Sequence, residues 1–584
     1  MKIRLIAISI AAAIILGVAA FPATAQDESQ AMHVSPELVQ LAEEFRAFRS
    51  PLFRARTWRP NAIGDEVPDF AAVVEEQTAG LADFRARLNA LDTTGWPVHD
   101  QVDWLLLRAE LDDVWFEHHI LSEFQTNAGF YVEHAINGVA REMGDVVPYG
   151  EEKAEAIIAA FERTRGILEQ GPENIVFEDA APELAHASLR HVADIRDKYA
   201  AGVGLLEPHF PASHRERLRS AAADAAIALE EYGQWIEQSL PMMQGAPNVG
   251  LANMEWYFDR VNFSPWNTEE LLAMGEYEKN RFLMSIAVEE KLNEGLKDLR
   301  MPTTEEWIEW FRLTYLQTKY WLDDMDLISF PPYVGESYLQ LGAWQEPFGG
   351  VGNRPGLLGF PTEPQPENTK RLFVVPEDHW FTNTNWERVM RLDPITDYQH
   401  SDWPGHYFEA EVTQRNACPI RARHRDTGFS QGWAHYWEEL FLDMAYPYLR
   451  GPRTRELTYN FLLLRAVRIP LDIYLSTGEL TMDEAVQYQI DRVPGMEEHI
   501  SRAEVDLYVR WPYQATSYIV GKKQIEQMLA EIYVDGDYAI DWREFHDELL
   551  AYGQIPLALV RWELTGNSDQ MERFWNSPEM PSAN

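Results

Sequence analysis

Residues 399–411 read QHSDWPGHYFEAE. Proline cannot sit inside a helix but suits its first turn, so a helix is expected to begin near Trp403–Pro404 and run through HYFEAEVTQRNA. His406 then lies in the first turn, with Glu409 three residues on along the same face. His400 lies before this helix or at the end of the preceding one, and the Pro-Gly turn can bring the two imidazoles together. Zinc takes neutral imidazole nitrogens and a carboxylate, and a catalytic site keeps one position open. The competing reading is that Asp402 caps the helix while His400 and His406 make ordinary hydrogen bonds.

The rest of the chain is helical in the same way. SPELVQLAEEFRAFR, VDWLLLRAELDDVWFEHHILSEF, EKAEAIIAAFERTRGILEQ and RERLRSAAADAAIALEEYGQWIEQSL carry apolar residues at three and four spacing. Alternating strand patterns are scarce, and no repeat of 20 to 50 residues points to a solenoid. The expected class is mainly α: one large, two-lobed helical domain over residues 26–584 with a central cleft. Residues 329–403 are the exception, rich in Pro, Gly, Asn and aromatics. They read as an irregular cleft wall or lid, with a short hairpin around RLFVVP, and Trp344, Trp380 and Trp386 there hint at aromatic or sugar-like ligands. Residues 397–450 form the expected metal and active-site segment.

The first residues set the compartment. Basic Lys2 and Arg4, an apolar run from Leu5 to Phe21, and Ala23-Thr24-Ala25 have the layout of a secretory signal peptide cut after Ala25. A periplasmic or secreted protein is expected, with no membrane association after cleavage. The single cysteine, Cys418, cannot form an intramolecular disulfide, and reads better as a small apolar residue than as a nucleophile. With 93 acidic residues against 50 basic, the net charge is −43. Such a surface repels nucleic acid and anionic lipid, which excludes both as main partners.

A second constellation is SQGWAHYWEELFLDM, residues 430–444. On a helix, Gln431, His435 and Glu438 or Glu439 fall on one face, while Trp433, Trp437, Leu440, Phe441 and Met444 supply apolar surface. Burying that polar stripe is costly unless it meets a metal, a substrate or other partners; solvent is the alternative.

These segments resemble the bacterial family DUF885, helical proteins similar to zinc-dependent metallopeptidases. Its pattern HExxPGHxxQ followed by EGWAxYxE is matched here by HSDWPGHYFE and QGWAHYWE. RAVRIPLDIYLSTGELTMDEA, PYQATSYIVGKKQI, FHDELLAYGQIPLALV and the N-terminal DQVDWLLLRAEL are similar to further family elements. The resemblance implies that His400 and His406 are metal ligands and that Gln431 stands where the family has its third ligand, a glutamate. It also implies that Ser401 replaces the glutamate that activates zinc-bound water, and that Glu409 replaces a glutamine. Glu438 is retained, and Tyr518 resembles a tyrosine that donates to a developing oxyanion.

Two readings follow. In one, zinc or another divalent ion is held by His400, His406 and Gln431 or Glu438. Asp402 or Glu409 then serves as base, and His435 adds a nitrogen or contacts substrate. In the other, a metal-free pocket binds a ligand or runs acid/base chemistry with His400, His406 and Glu438. Arg468 and Asp472, four residues apart, are expected to pair as a structural ion pair or to steer a substrate carboxylate. The leading expectation is a divergent hydrolase of peptides or small amides. A lyase or other hydrolase, and a non-catalytic binding protein, are the alternatives.

Overall fold

The alanine-rich run Arg215–Ser239 is one unbroken helix, with Ala221, Ala222, Ala225, Leu229, Tyr232 and Ile236 buried along one stripe. It packs against Glu151–Leu168, which packs in turn against Gly129–Glu142. This computed structural model describes residues 35–49, 66–143, 147–297, 300, 302–335, 337–341, 346–348, 371–375, 392–451 and 453–578. The expected leader, Trp344, Trp380, Trp386 and most of the expected cleft wall lie outside them. Among the described residues no helix is long and apolar enough to cross a membrane.

Two large apolar cores organise the helices. One gathers Phe70, Val74, apolar residues between Phe124 and Met243, and Phe348. The larger joins the N-terminal helices Pro36–Phe48 and Val98–Phe116 to most of the C-terminal half. In it, Thr427–Asp443 crosses Ser517–Asp535, and Thr268–Leu292 crosses Thr454–Thr477. The first crossing is glycine-lined. A Cβ on Gly521 would lie 1.9 Å from the Gly428 carbonyl oxygen, and one on Gly432 would lie 2.4 Å from the Gly521 Cα. Backbone-to-backbone approach of this kind fixes how the polar stripe of the first helix meets the second.

The mainly α expectation holds, with one small exception. RLFVVP does contain a strand, Arg371–Val375, but its partner is Ser337–Leu341 and the pairing is parallel. A parallel pair needs a long crossover, so the expected hairpin is corrected. Cys418 is buried with its thiol 3.4 Å from Asp103, and burial pushes its pKa up to about 11, which removes it as a nucleophile.

His546, fully buried in helix Trp542–Ala551, makes a testable contribution to stability. Its Nδ1–H donates to the Leu327 carbonyl at 2.7 Å, and the Tyr436 hydroxyl lies 2.9 Å from Nε2. Burial lowers its pKa to about 4. Below pH 6.5 the unfolded imidazole binds a proton that the folded one refuses, so stability is complete above pH 6.5 and falls towards pH 4. The loss at this site is about 3 kcal/mol. Urea unfolding between pH 7 and pH 4 should show a shallower decline in His546→Gln than in the wild type; equal slopes would contradict the assignment.

Candidate functional site

His400 and His406 are brought together by a broken helix. Ile395–Ser401 ends just after His400, and the next helix is His406–Thr413, so it begins two residues beyond the expected Pro404. The N-cap of this second helix is Gly405 rather than Asp402, so the capping role considered for Asp402 is corrected. Gly405 packs directly on the first histidine, where a Cβ would meet the His400 carbonyl oxygen at 1.9 Å. The Trp433 indole N–H donates to the Pro404 carbonyl at 2.8 Å and ties the turn to helix Thr427–Asp443. The two imidazole rings meet nearly perpendicular, with centroids 4.7 Å apart.

Helix Thr427–Asp443 starts at Asp426, whose carboxylate accepts the Phe429 N–H at 2.6 Å. Trp433, Trp437 and Phe441 bury one side of it completely. Each such side chain contributes about 1.5–3 kcal/mol, which helps offset the cost of taking the polar stripe out of water. Gln431, His435, Glu438 and Glu439 are all buried, so solvent is not their partner.

Glu438 stands behind the first imidazole. Its Oε1 lies 2.8 Å from His400 Nδ1, off the hydrogen-bond axis, and its Oε2 accepts the His435 Nδ1–H at 2.9 Å. Arg465 approaches Oε1 at 3.5 Å. Burial alone would raise the Glu438 pKa, but these neighbours hold it well below the usual carboxylate range. Burial pushes His400 down to about 3 against the pull of Glu438, so this imidazole is neutral at physiological pH. Burial lowers His435 as well.

The second imidazole is backed differently. His406 Nδ1 lies 3.0 Å from the Ser430 hydroxyl, which donates to Glu409 Oε2 at 3.1 Å. The Gln554 amide donates to Glu409 Oε1 at 2.6 Å. On its other side, His406 Nε2 faces Gln431 Oε1 at 3.2 Å.

Tyr518 lines the same place: its ring stacks on His400 at 5.7 Å, and the guanidiniums of Arg465 and Arg468 lie 4.4 and 5.0 Å from its centroid. Arg468 does not pair with Asp472. It forms an ion pair with Glu504 from helix Glu498–Tyr508, while Asp472 accepts the backbone N–H groups of Tyr513 and Thr516 at 3.2 and 2.9 Å. Asp402 is fully buried, two residues from His400.

Sequence reasoning missed Ser430, Gln554 and Arg465. Ser430 was adjacent to the Gln431 already singled out. Gln554 lay within the C-terminal AYGQIP segment, and Arg465 is three residues before Arg468.

Among the described residues, no three His, Cys, Asp or Glu side chains form a group that could hold a metal. Two imidazoles and the Gln431 amide are what the site offers. His406 Nδ1 contacts a carboxylate-backed hydroxyl and His400 Nδ1 lies against a carboxylate, which leaves each Nε2 as the nitrogen for a ligand. Ligands of one tetrahedral zinc lie about 3.3–3.5 Å apart, close to the His406–Gln431 separation. In chemical type, two neutral imidazoles and an amide oxygen are donors a divalent ion accepts, with a neutral oxygen where a carboxylate would bind more tightly.

Residues 359–564 match the sequence model of the family described as "Bacterial protein of unknown function (DUF885)". That span contains both histidines, Gln431, Glu438 and Tyr518, and leaves the N-terminal DQVDWLLLRAEL outside it. No curated protein matches the chain. Solved structures share its fold, two of them described as putative lipoproteins. One is a "putative lipoprotein of unknown function" from Shewanella oneidensis, 14% identical, with a TM-score of 0.64 over 90% of this chain and 99% of the other. The second is a "putative lipoprotein" from Colwellia psychrerythraea, 14% identical, with a TM-score of 0.67 over 91% and 99%.

Proposed function

We propose that this chain, matched to DUF885 over residues 359–564, is an exported, metal-dependent hydrolase of peptides or small amides. One observation carries the reading: two buried imidazoles meet at 4.7 Å, each with its Nδ1 engaged from behind by Glu438 or by Ser430 and Glu409. The leader sequence supports export, as does the description of both structural neighbours as lipoproteins.

In this reading His400, His406 and Gln431 hold the metal. A divalent ion bound there supplies Lewis-acid polarisation of a carbonyl and a lowered pKa for water. Glu438, with His435 and Arg465 around it, fixes His400 rather than accepting a proton, because its neighbours make it a weak base. Glu409 is committed to Ser430 and Gln554, and fixes His406. Asp402, fully buried and next in the chain to Ser401, is the carboxylate this reading assigns to proton transfer. Tyr518, against His400, is placed to donate to a developing oxyanion. Arg468 binds Glu504 through Nη2 but has Nη1, as Arg465 has Nε, without a hydrogen-bond partner among the described residues, and these two donors together take the carboxylate-steering role.

Peptide-library turnover by the zinc-supplemented protein tests this. His406→Ala should abolish cleavage, and Asp402→Asn should lower it about 100-fold or more with zinc content unchanged. Cleavage unaffected by Asp402→Asn would remove Asp402 as the base. A second reading, a ligand-binding protein without catalysis, is favoured by Ser401, whose hydroxyl is no proton acceptor near neutral pH. Zinc uptake without turnover of any peptide would select it.

A further inference from the structure

We propose that Ser430 is a positioning residue that fixes the tautomer of His406, holding its proton on Nδ1 and turning the Nε2 lone pair towards Gln431. The argument is proton bookkeeping in a buried cluster. The Ser430 hydroxyl has one hydrogen and two neighbours, His406 Nδ1 at 3.0 Å and Glu409 Oε2 at 3.1 Å. If that hydrogen went to Nδ1, the hydroxyl oxygen and the carboxylate oxygen would face each other at 3.1 Å with no proton between them. Two acceptors in contact away from water are costly. The other arrangement puts a proton on each of these contacts: Nδ1–H donates to Ser430 Oγ, the hydroxyl donates to Glu409 Oε2, and the Gln554 amide donates to Glu409 Oε1 at 2.6 Å.

Glu409 is fully buried, and its two oxygens are held by elements more than 100 residues apart in sequence, Ser430 on one side and Gln554 on the other. The cluster is thus a built device rather than a surface contact. Its consequence is at the far nitrogen. With Nδ1 protonated, Nε2 carries a lone pair and lies 3.2 Å from the end of the Gln431 amide, whose oxygen and NH2 exchange places by a half-turn. With the oxygen turned inward, the two lone pairs suit a cation between them; with no cation there, a protonated Nδ1 requires the NH2 to face Nε2. In function the inference rests on the metal reading above, but the tautomer itself does not.

Nitrogen-15 spectra of the histidine-labelled full chain, assigned by the signal lost in His406→Gln, report which ring nitrogen carries the proton. The expected result is Nδ1–H in the wild type and in Ser430→Thr, and Nε2–H in Ser430→Ala. Zinc affinity measured against a chelator should weaken about 10–100-fold in Ser430→Ala and stay near wild type in Ser430→Thr. A wild-type proton on Nε2 overturns the proposal, as does a Ser430→Ala protein unchanged in both measurements. A wild type with Nδ1–H that takes up no zinc would support the relay and defeat the metal reading instead.

Discussion

Glu438→Gln is expected to lower the unfolding free energy by about 3–5 kcal/mol, the cost of removing one partner from a buried ionic cluster. Glu438 is fully buried, and Arg465, the cation beside it, is buried with no hydrogen bond at Nε. The substitution keeps shape and volume but removes the anion, and among the described residues Arg465 then keeps its approach to the Tyr518 ring. Both His400 and His435 present Nδ1 to the Glu438 carboxylate, and a neutral amide has one carbonyl oxygen to offer two donors. Urea midpoints at pH 7 measure the effect, with Glu309→Gln, an exposed partner of Arg312, as the control expected within about 0.5 kcal/mol of wild type. A Glu438→Gln protein as stable as that control would mean that the cluster does not hold His400.

Gly405→Ala is expected to cost about 1–3 kcal/mol and to damage the site more than the fold. The added methyl would occupy the space of the His400 carbonyl oxygen, a backbone atom that cannot rotate away. Either helix Ile395–Ser401 shifts at its end or His406–Thr413 shifts at its start, and each movement separates the two imidazoles. Zinc affinity should therefore fall by more than the change in urea midpoint alone would suggest. Unchanged affinity would show that the His400–His406 approach does not govern binding.

The helices were legible because burial leaves a period of 3.6 in the sequence, and runs such as Arg215–Ser239 keep it over many turns. The histidine pair was legible because Pro404-Gly405 interrupts that period between two ligand-type residues. What stands behind each ring was not. Ser430, Gln554 and Arg465 reach the site through tertiary contacts, above all the glycine crossing at Gly432 and Gly521, and no local spacing encodes such a crossing. Arg468 shows how spacing misleads. Asp472 lies at the right interval, yet its oxygens are taken by backbone N–H groups that would otherwise be buried unpaired, and Glu504 from another helix supplies the charge. The strand Arg371–Val375 shows the same limit, since its apolar residues mark a strand but not the direction of its partner.

The most direct test of the account is a zinc titration of the full-length chain at neutral pH, followed by elemental analysis after gel filtration. The account predicts one equivalent per chain in the wild type, loss of that equivalent in His406→Ala, and tighter binding in Gln431→Glu, where a carboxylate replaces the amide oxygen. A folded wild type that takes up no divalent ion, or one whose uptake is the same in His406→Ala, would contradict it.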